Sequence, residues 1–162
     1  MIDRIWQLAY IVAYRLAKCW WWLRRPPGRG SYVAVWFDDR ILIIRNSYKH
    51  EYCVPAGGVD RGENFLQAAV RELYEEVGIA AEEADLIRHR QYENFSEFKH
   101  DVSELFVLRL SAEPNVIIDN REVVFAKFMT LSEAVQLPLV PVVNDYLREV
   151  RGEPCDSQNP AT

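Results

Sequence analysis

The sequence predicts an α/β fold: a mixed β-sheet with helices on both faces, plus an extra amphipathic helix at the N-terminus. Three observations lead there. Apolar runs of strand length at 32–37, 40–44, 86–95, 102–110 and 123–128 are separated by turn-forming residues. Two further stretches have helical periodicity, Leu66, Ala69, Leu73 and Val77 in one and Val142, Val143, Tyr146, Leu147 and Val150 in the other. A chain of 162 residues with 49% hydrophobic and 27% charged side chains suits one domain with a substantial core. Strands, a helix, more strands and a closing helix pack best as layers.

In chain order, Ile5, Leu8, Val12, Leu16, Cys19 and Leu23 recur at spacings of three and four, which predicts a helix of about six turns over residues 1–25. Trp6, Tyr10, Tyr14 and Trp20 to Trp22 widen its apolar surface, and Arg15 and Lys18 interrupt it. Its longest uncharged run, Ile5 to Tyr14, has ten residues, too few for a hydrocarbon core about 30 Å thick. No small-residue cleavage site follows, so a signal peptide is not expected either. Two readings stay open. The helix buries its rings against its own domain or a second copy, as in a homodimer, or it makes peripheral contact with a membrane interface. Pro26 to Gly30 reads as a linker.

A domain over residues 31–151 follows. Tyr32 to Phe37 and Arg40 to Ile44 flank Asp38-Asp39 and read as a hairpin. Arg45 to His50 is polar and reads as a loop leading into a short strand at Tyr52 to Val54. After a second helix, Glu82 to Asp85 is a solvated acidic segment, and Ser96 to Asp101 joins two long strands. Asn115 to Arg121 is a polar loop before the next strand. Thr130 to Glu133 is a capping-box pattern, and Pro141 suits the first turn of the last helix. Residues 152–162 lack periodicity and are expected to be a disordered tail.

Charge is uneven. Residues 1–30 carry six basic side chains and one acid, a net +5, which leaves −10 on residues 31–162 out of −5 overall. An acidic body argues against stable nucleic-acid binding. Cys19, Cys53 and Cys155 are odd in number and widely spaced, which fits neither a disulfide framework nor a zinc site. They suit a reducing compartment, and the expected location is cytoplasmic or peripheral to a membrane. His50, His89 and His100 have no ligand-like spacing.

The chemical signal is the stretch Gly57 to Ile79, GGVDRGENFLQAAVRELYEEVGI. Gly57-Gly58 reads as a glycine turn, and Gly78 as the left-handed cap that ends the helix. At about 100° per residue, Glu72, Glu75 and Glu76 point into one narrow arc opposite the apolar stripe. Like charges at these spacings destabilise a helix, and its last turns favour cations. Such a cluster is unfavourable unless a cation sits against it, and hard divalent ions bind carboxylate oxygens. An acidic helix merely packed on a sheet is the alternative.

Gly57, five residues, Glu63, seven residues, Arg71-Glu72-Leu73, one residue, Glu75-Glu76, one residue and Gly78-Ile79 match all nine defined positions of the Nudix box over 23 residues. The chain therefore resembles the Nudix hydrolases. That resemblance implies an αβα sandwich and Mg²⁺- or Mn²⁺-dependent hydrolysis of a pyrophosphate bond in a nucleoside diphosphate linked to another group. It implies Glu72 and Glu76 as direct metal ligands and Glu75 as a ligand or the group that activates water, with the Gly57 carbonyl completing the set. It also implies an Arg71–Glu63 pair that braces loop against helix, with Arg71 pointing away from the metal cluster. Family members differ in the source of the general base, and Glu122 is the first outside candidate, followed by Glu97 and Glu104. Each of these also reads as a surface carboxylate. Arg45, Tyr48 and Lys49 are candidates for contact with substrate phosphate or base, or else part of a solvated loop. Tyr92, Phe95 and Phe98 suit either base stacking or core packing. The alternative to catalysis is a silent Nudix-like domain that binds a ligand.

Overall fold

The computed structural model describes residues 2–24, 28–96 and 99–153. A sheet of six strands is built from β1 (Gly28–Phe37), β2 (Arg40–Asn46), β3 (Ala56–Gly58), β4 (Ile87–Ser96), β5 (Lys99–Leu110) and β6 (Val123–Thr130). Its order is β4-β5-β1-β2-β6, with β3 paired to β1 off this path. The β1–β5 pair is parallel, from Gly28 opposite Asp101 to Phe37 opposite Leu110, and the other pairs are antiparallel. The sheet is therefore mixed, as expected. Asp38 takes a left-handed conformation (φ 52°) at the β1–β2 turn.

Strand alternation assigns the two faces. Val33, Val35, Leu42 and Ile44 point to one side, where Ala69, Leu73 and Val77 of α2 (Phe65–Val77) cover them. Ala34, Trp36, Ile41 and Ile43 point to the other, against Val143, Tyr146 and Leu147 of α4 (Pro141–Val150). The short α3 (Leu131–Ala134) starts at the Thr130 capping box, where the Glu133 carboxylate accepts from Thr130 N at 2.8 Å. Across the α4 side, Trp36 Nε1 donates to Tyr146 Oη at 2.8 Å, so the one polar atom of that indole is satisfied inside the core.

β1 divides its pairing. Gly30 to Tyr32 pair with β3, and Trp36-Phe37 pair with β2. Splitting the two partners leaves room between them for the connection from Ser47 to Pro55. Through this division the sheet delivers a short glycine strand to the end of α2.

Several boundaries differ from those read in the sequence. The linker expected at 26–30 is already strand from Gly28, because Gly28 to Gly30 pair in register with Asp101 to Ser103. Arg45 and Asn46 belong to β2 rather than a loop, since both pair with β6 across a bulge. The lead-in at Tyr52 to Val54 is not a regular strand: Tyr52 and Cys53 form only isolated bridges, to Leu139 and Ile44. Gly57-Gly58 is not a turn but the end of β3. Strand β5 begins at Lys99, three residues earlier than expected, within the connection assigned to 96–101. Gly152 N and Glu153 N bond back to α4, and the rest of the expected tail lies outside the described residues.

The N-terminal helix α1 (Ile2–Arg24) forms as its periodicity predicts. Its apolar stripe does not pack on the domain, however. Ile5, Leu8, Val12 and Leu16 are exposed, and the half-buried side chains are those of Gln7, Tyr10, Ile11, Tyr14, Ala17 and Lys18. The aromatic rings decide the orientation: Tyr14 lies 4.9 Å and Tyr10 6.2 Å from the Tyr48 ring, centroid to centroid. Gln7 Nε2 donates to Asn120 O at 2.7 Å, and Asp3 pairs with Arg121 at 3.0 Å.

Candidate active site

Helix α2 places the acidic cluster. Asn64 and Gln67 form a reciprocal capping box, with Gln67 N donating to Asn64 Oδ1 at 2.9 Å and Asn64 N to Gln67 Oε1 at 3.1 Å. The helix ends at Gly78 (φ 69°), whose N–H bonds Tyr74 O at 2.9 Å. Between these ends Ala69, Leu73 and Val77 face the sheet, which turns Glu72 and Glu76 toward β3.

Glu76 is buried. Its carboxylate accepts from Ala56 N at 2.8 Å and Asn46 Nδ2 at 3.3 Å. Burial pushes its pKa up to about 8, Glu72 and Glu122 add to the rise, and the two donors oppose it. Glu72 is also raised, first by burial, with Arg71 pulling the other way. A Cβ at Gly57 would collide with the Glu72 carboxylate, so only glycine lets the β3 backbone approach that group. Glu75 is the most exposed of the three.

Arg71 is not turned away from the cluster, contrary to the sequence reading. Its Nε and Nη2 hold both Glu63 oxygens at 2.9 and 3.1 Å, and Nη2 also donates to Gly58 O at 2.8 Å. The remaining Nη1 reaches Glu72 at 2.6 Å and Glu75 at 3.1 Å. Five donors in a planar fork allow all of these at once. The guanidinium and the Asp60 amide hold the Glu63 carboxyl down at about 2. Arg71 thus ties Gly58 and Glu63 to helix α2, and its contacts extend into the acidic cluster.

The residues fit a hard divalent cation on two counts. The donors are carboxylate and carbonyl oxygens only, and the glycine cradle brings a main-chain strand against Glu72. Among the described residues, no three His, Cys, Asp or Glu side chains converge on one point as they stand. Arg71 and the Ala56 and Asn46 donors occupy the carboxylates instead.

A cavity of about 660 Å³ opens beside β3. Ala56, Gly57 and Gly58 form part of its wall, with Glu122, Tyr48, Lys49 and Asn46 around them. Glu72, Glu75 and Glu76 do not line it; they adjoin it through Ala56 and Gly57. Glu122 is positioned by Asp119, whose Oδ1 accepts from Glu122 N at 3.1 Å, and it accepts from Tyr48 Oη at 3.0 Å. Burial first, then Glu122, pushes the Tyr48 phenol upward.

Of the three outside candidates, Glu122 reaches this cavity, whose wall also includes Glu51 and Asp101; Glu104 is paired with Arg88 at 2.7 Å on the sheet, and Glu97 lies outside the described residues. Tyr48 and Lys49 reach it too, but Arg45 does not, its guanidinium lying 5.4 Å from the Tyr52 ring centroid. Tyr92 is core, while Phe98 and the Phe95 side chain lie outside the described residues. Asn46, Tyr10 and Tyr14 join the cavity without having been singled out. The polar residue closing an apolar strand run was the available signal for Asn46. The two tyrosines were read only as widening the apolar surface of an amphipathic helix.

A mixed sheet between helical layers that presents a glycine strand to a glutamate-rich helix end is the arrangement that the Nudix resemblance implies. The NUDIX domain family model matches residues 27–150, and the chain belongs to that family. It is 33% identical over 118 residues to Nudix hydrolase 8 of Arabidopsis thaliana, covering 70% of this chain and 31% of that protein. It is 38% identical over 71 residues to the RNA pyrophosphohydrolase of Bartonella henselae, covering 42% and 40%. The chain thus spans less than half the length of these relatives. The crystal structure of a MutT NUDIX hydrolase from Burkholderia pseudomallei superposes with a TM-score of 0.67 at 23% identity, covering 77% of this chain and 98% of that one.

Proposed function

We propose that this chain hydrolyses the pyrophosphate bond of a nucleoside diphosphate linked to another group, in a reaction that depends on Mg²⁺ or Mn²⁺. The observation that carries the reading is the buried Glu76 beside the half-buried Glu72 behind the Gly57 cradle, two carboxylates raised first by desolvation next to a cavity. Glu72, Glu76, Glu75 and the Gly57 carbonyl would hold the ion. A divalent cation there neutralises phosphate oxygens and acidifies water.

The chain's own groups supply the rest. Glu122 lines the cavity with no cation bonded to it among the described residues, and it takes the role of general base. Lys49 offers a positive charge to the phosphates, and Tyr48, Tyr10 and Tyr14 offer aromatic faces to a base. Arg71 and Glu63 act as positioning residues that fix the β3–α2 connection. Relatives named RNA pyrophosphohydrolases bring a triphosphorylated RNA end into the substrate range, although the −10 body disfavours extended nucleic-acid contact.

Binding without hydrolysis is the second reading, and the Arg71 contacts to Glu72 and Glu75 favour it. Phosphate release over a panel of nucleoside diphosphate derivatives, dinucleoside polyphosphates and a 5′-triphosphorylated oligonucleotide separates the two. At least one substrate turns over with Mg²⁺ or Mn²⁺, and Glu76→Gln loses roughly a hundredfold or more. Equal rates for both proteins overturn the mechanism. Tight binding of a nucleotide with no turnover under any metal establishes the silent alternative.

A further inference from the structure

We propose that the outward face of α1 docks on an anionic membrane surface, with its apolar side chains in the headgroup region and its arginines on the lipid phosphates. Ile2, Ile5, Leu8, Val12, Leu16 and Trp20 are between 50% and 66% exposed. At 100° per residue these six fall within an arc of about 120°, opposite the side that packs on the domain. Neither core cluster includes any residue of α1. Large apolar side chains gathered on one helix face are uncommon on a monomer's surface unless something covers them.

Charge selects the occupant. Arg4 and Arg15 lie along the same border of the arc, about three turns apart, both exposed and without an ion-pair partner among the described residues. Residues 1–30 carry six basic side chains against one acid, while the remainder of the chain is −10. The single acid, Asp3, is already paired with Arg121 at 3.0 Å. A second copy of this face would supply no carboxylate to either arginine. A membrane rich in anionic lipid supplies both an apolar layer and phosphate counter-charges, and tryptophan is favoured at that depth. No helix among the described residues is long and apolar enough to cross a bilayer, so the contact lies in the interface plane.

The geometry also links docking to the cavity. Tyr10, Ala13 and Tyr14 of the same helix form part of the cavity wall, so one helix separates the docking face from the cavity.

The test uses the full chain with extruded phosphatidylcholine vesicles, with and without about one-quarter phosphatidylserine. Co-sedimentation and tryptophan emission are followed for wild type, for Ile5→Ser/Leu8→Ser/Leu16→Ser and for Arg4→Gln/Arg15→Gln. The wild type partitions onto the anionic vesicles with a blue shift, and added salt weakens the binding. The serine variant loses roughly tenfold or more. Each arginine replaced costs about fivefold on anionic vesicles only. Far-UV circular dichroism and solution hydrolysis stay at wild-type levels in both variants, because none of these side chains enters the core or the site. Wild type that does not bind anionic vesicles, or a serine variant that binds as well as wild type, overturns the proposal. So does a concentration-dependent dimer that the serine variant abolishes, which would give the face to a second copy.

Discussion

Burial and negative charge oppose each other at Glu76, and among the described residues two neutral donors offset the conflict. The two glutamates nearest β3, Glu72 and Glu76, are both raised, first by desolvation and further by neighbouring carboxylates. Gly57 makes this arrangement possible by having no side chain. Gly57→Ala forces the Glu72 carboxylate aside and lowers kcat by about a hundredfold with little change in thermal stability. Steady-state kinetics beside a melting curve check this. At this scale the sequence was most informative about Glu72 and Glu76, which helical spacing puts on one side of α2 and which both meet β3, while Glu75 stays exposed. It could not show that Arg71 bonds two of them, because a guanidinium with five donors has more reach than a pairwise pattern reveals. Asn46 was missed for a related reason: its role depends on a contact 30 residues away in the chain.

Among the elements, α2 was the easiest to foresee, from its stripe to its Gly78 cap. Its attachment to the preceding loop depends on Glu63. That carboxyl sits at about 2 in the folded chain against roughly 4.3 when unfolded, so its contribution is full above the unfolded value and is lost as pH falls through the folded one. Glu63→Gln therefore lowers Tm at neutral pH, and the gap to wild type closes between about pH 4.5 and pH 2. A constant gap over that range would remove the ion pair from the account. Strand ends were less legible than the helix. Gly57-Gly58 carries turn residues yet pairs with β1, because the partner strand rather than local preference decides its conformation.

For the whole molecule, the mixed sheet and its two helical layers follow from the order of periodic segments, but the seat of α1 does not. Its hydrophobic period identifies a helix; whether that stripe or the tyrosine side meets the domain depends on Tyr48, which no local pattern signals. With no α1 residue in either core cluster, deleting residues 2–24 leaves one cooperative unfolding transition. The same deletion removes Tyr10 and Tyr14 from the cavity and raises KM by roughly two- to tenfold at nearly constant kcat.

The acidic helix end is the centre of the account, and anomalous diffraction from a crystal soaked in Mn²⁺ addresses it most directly. The expected result is a peak within coordination distance of the Glu72 and Glu76 carboxylates and the Gly57 carbonyl, with Arg71 released from Glu72. A soaked crystal with no ion there, and with both carboxylates still on their protein donors, would contradict it.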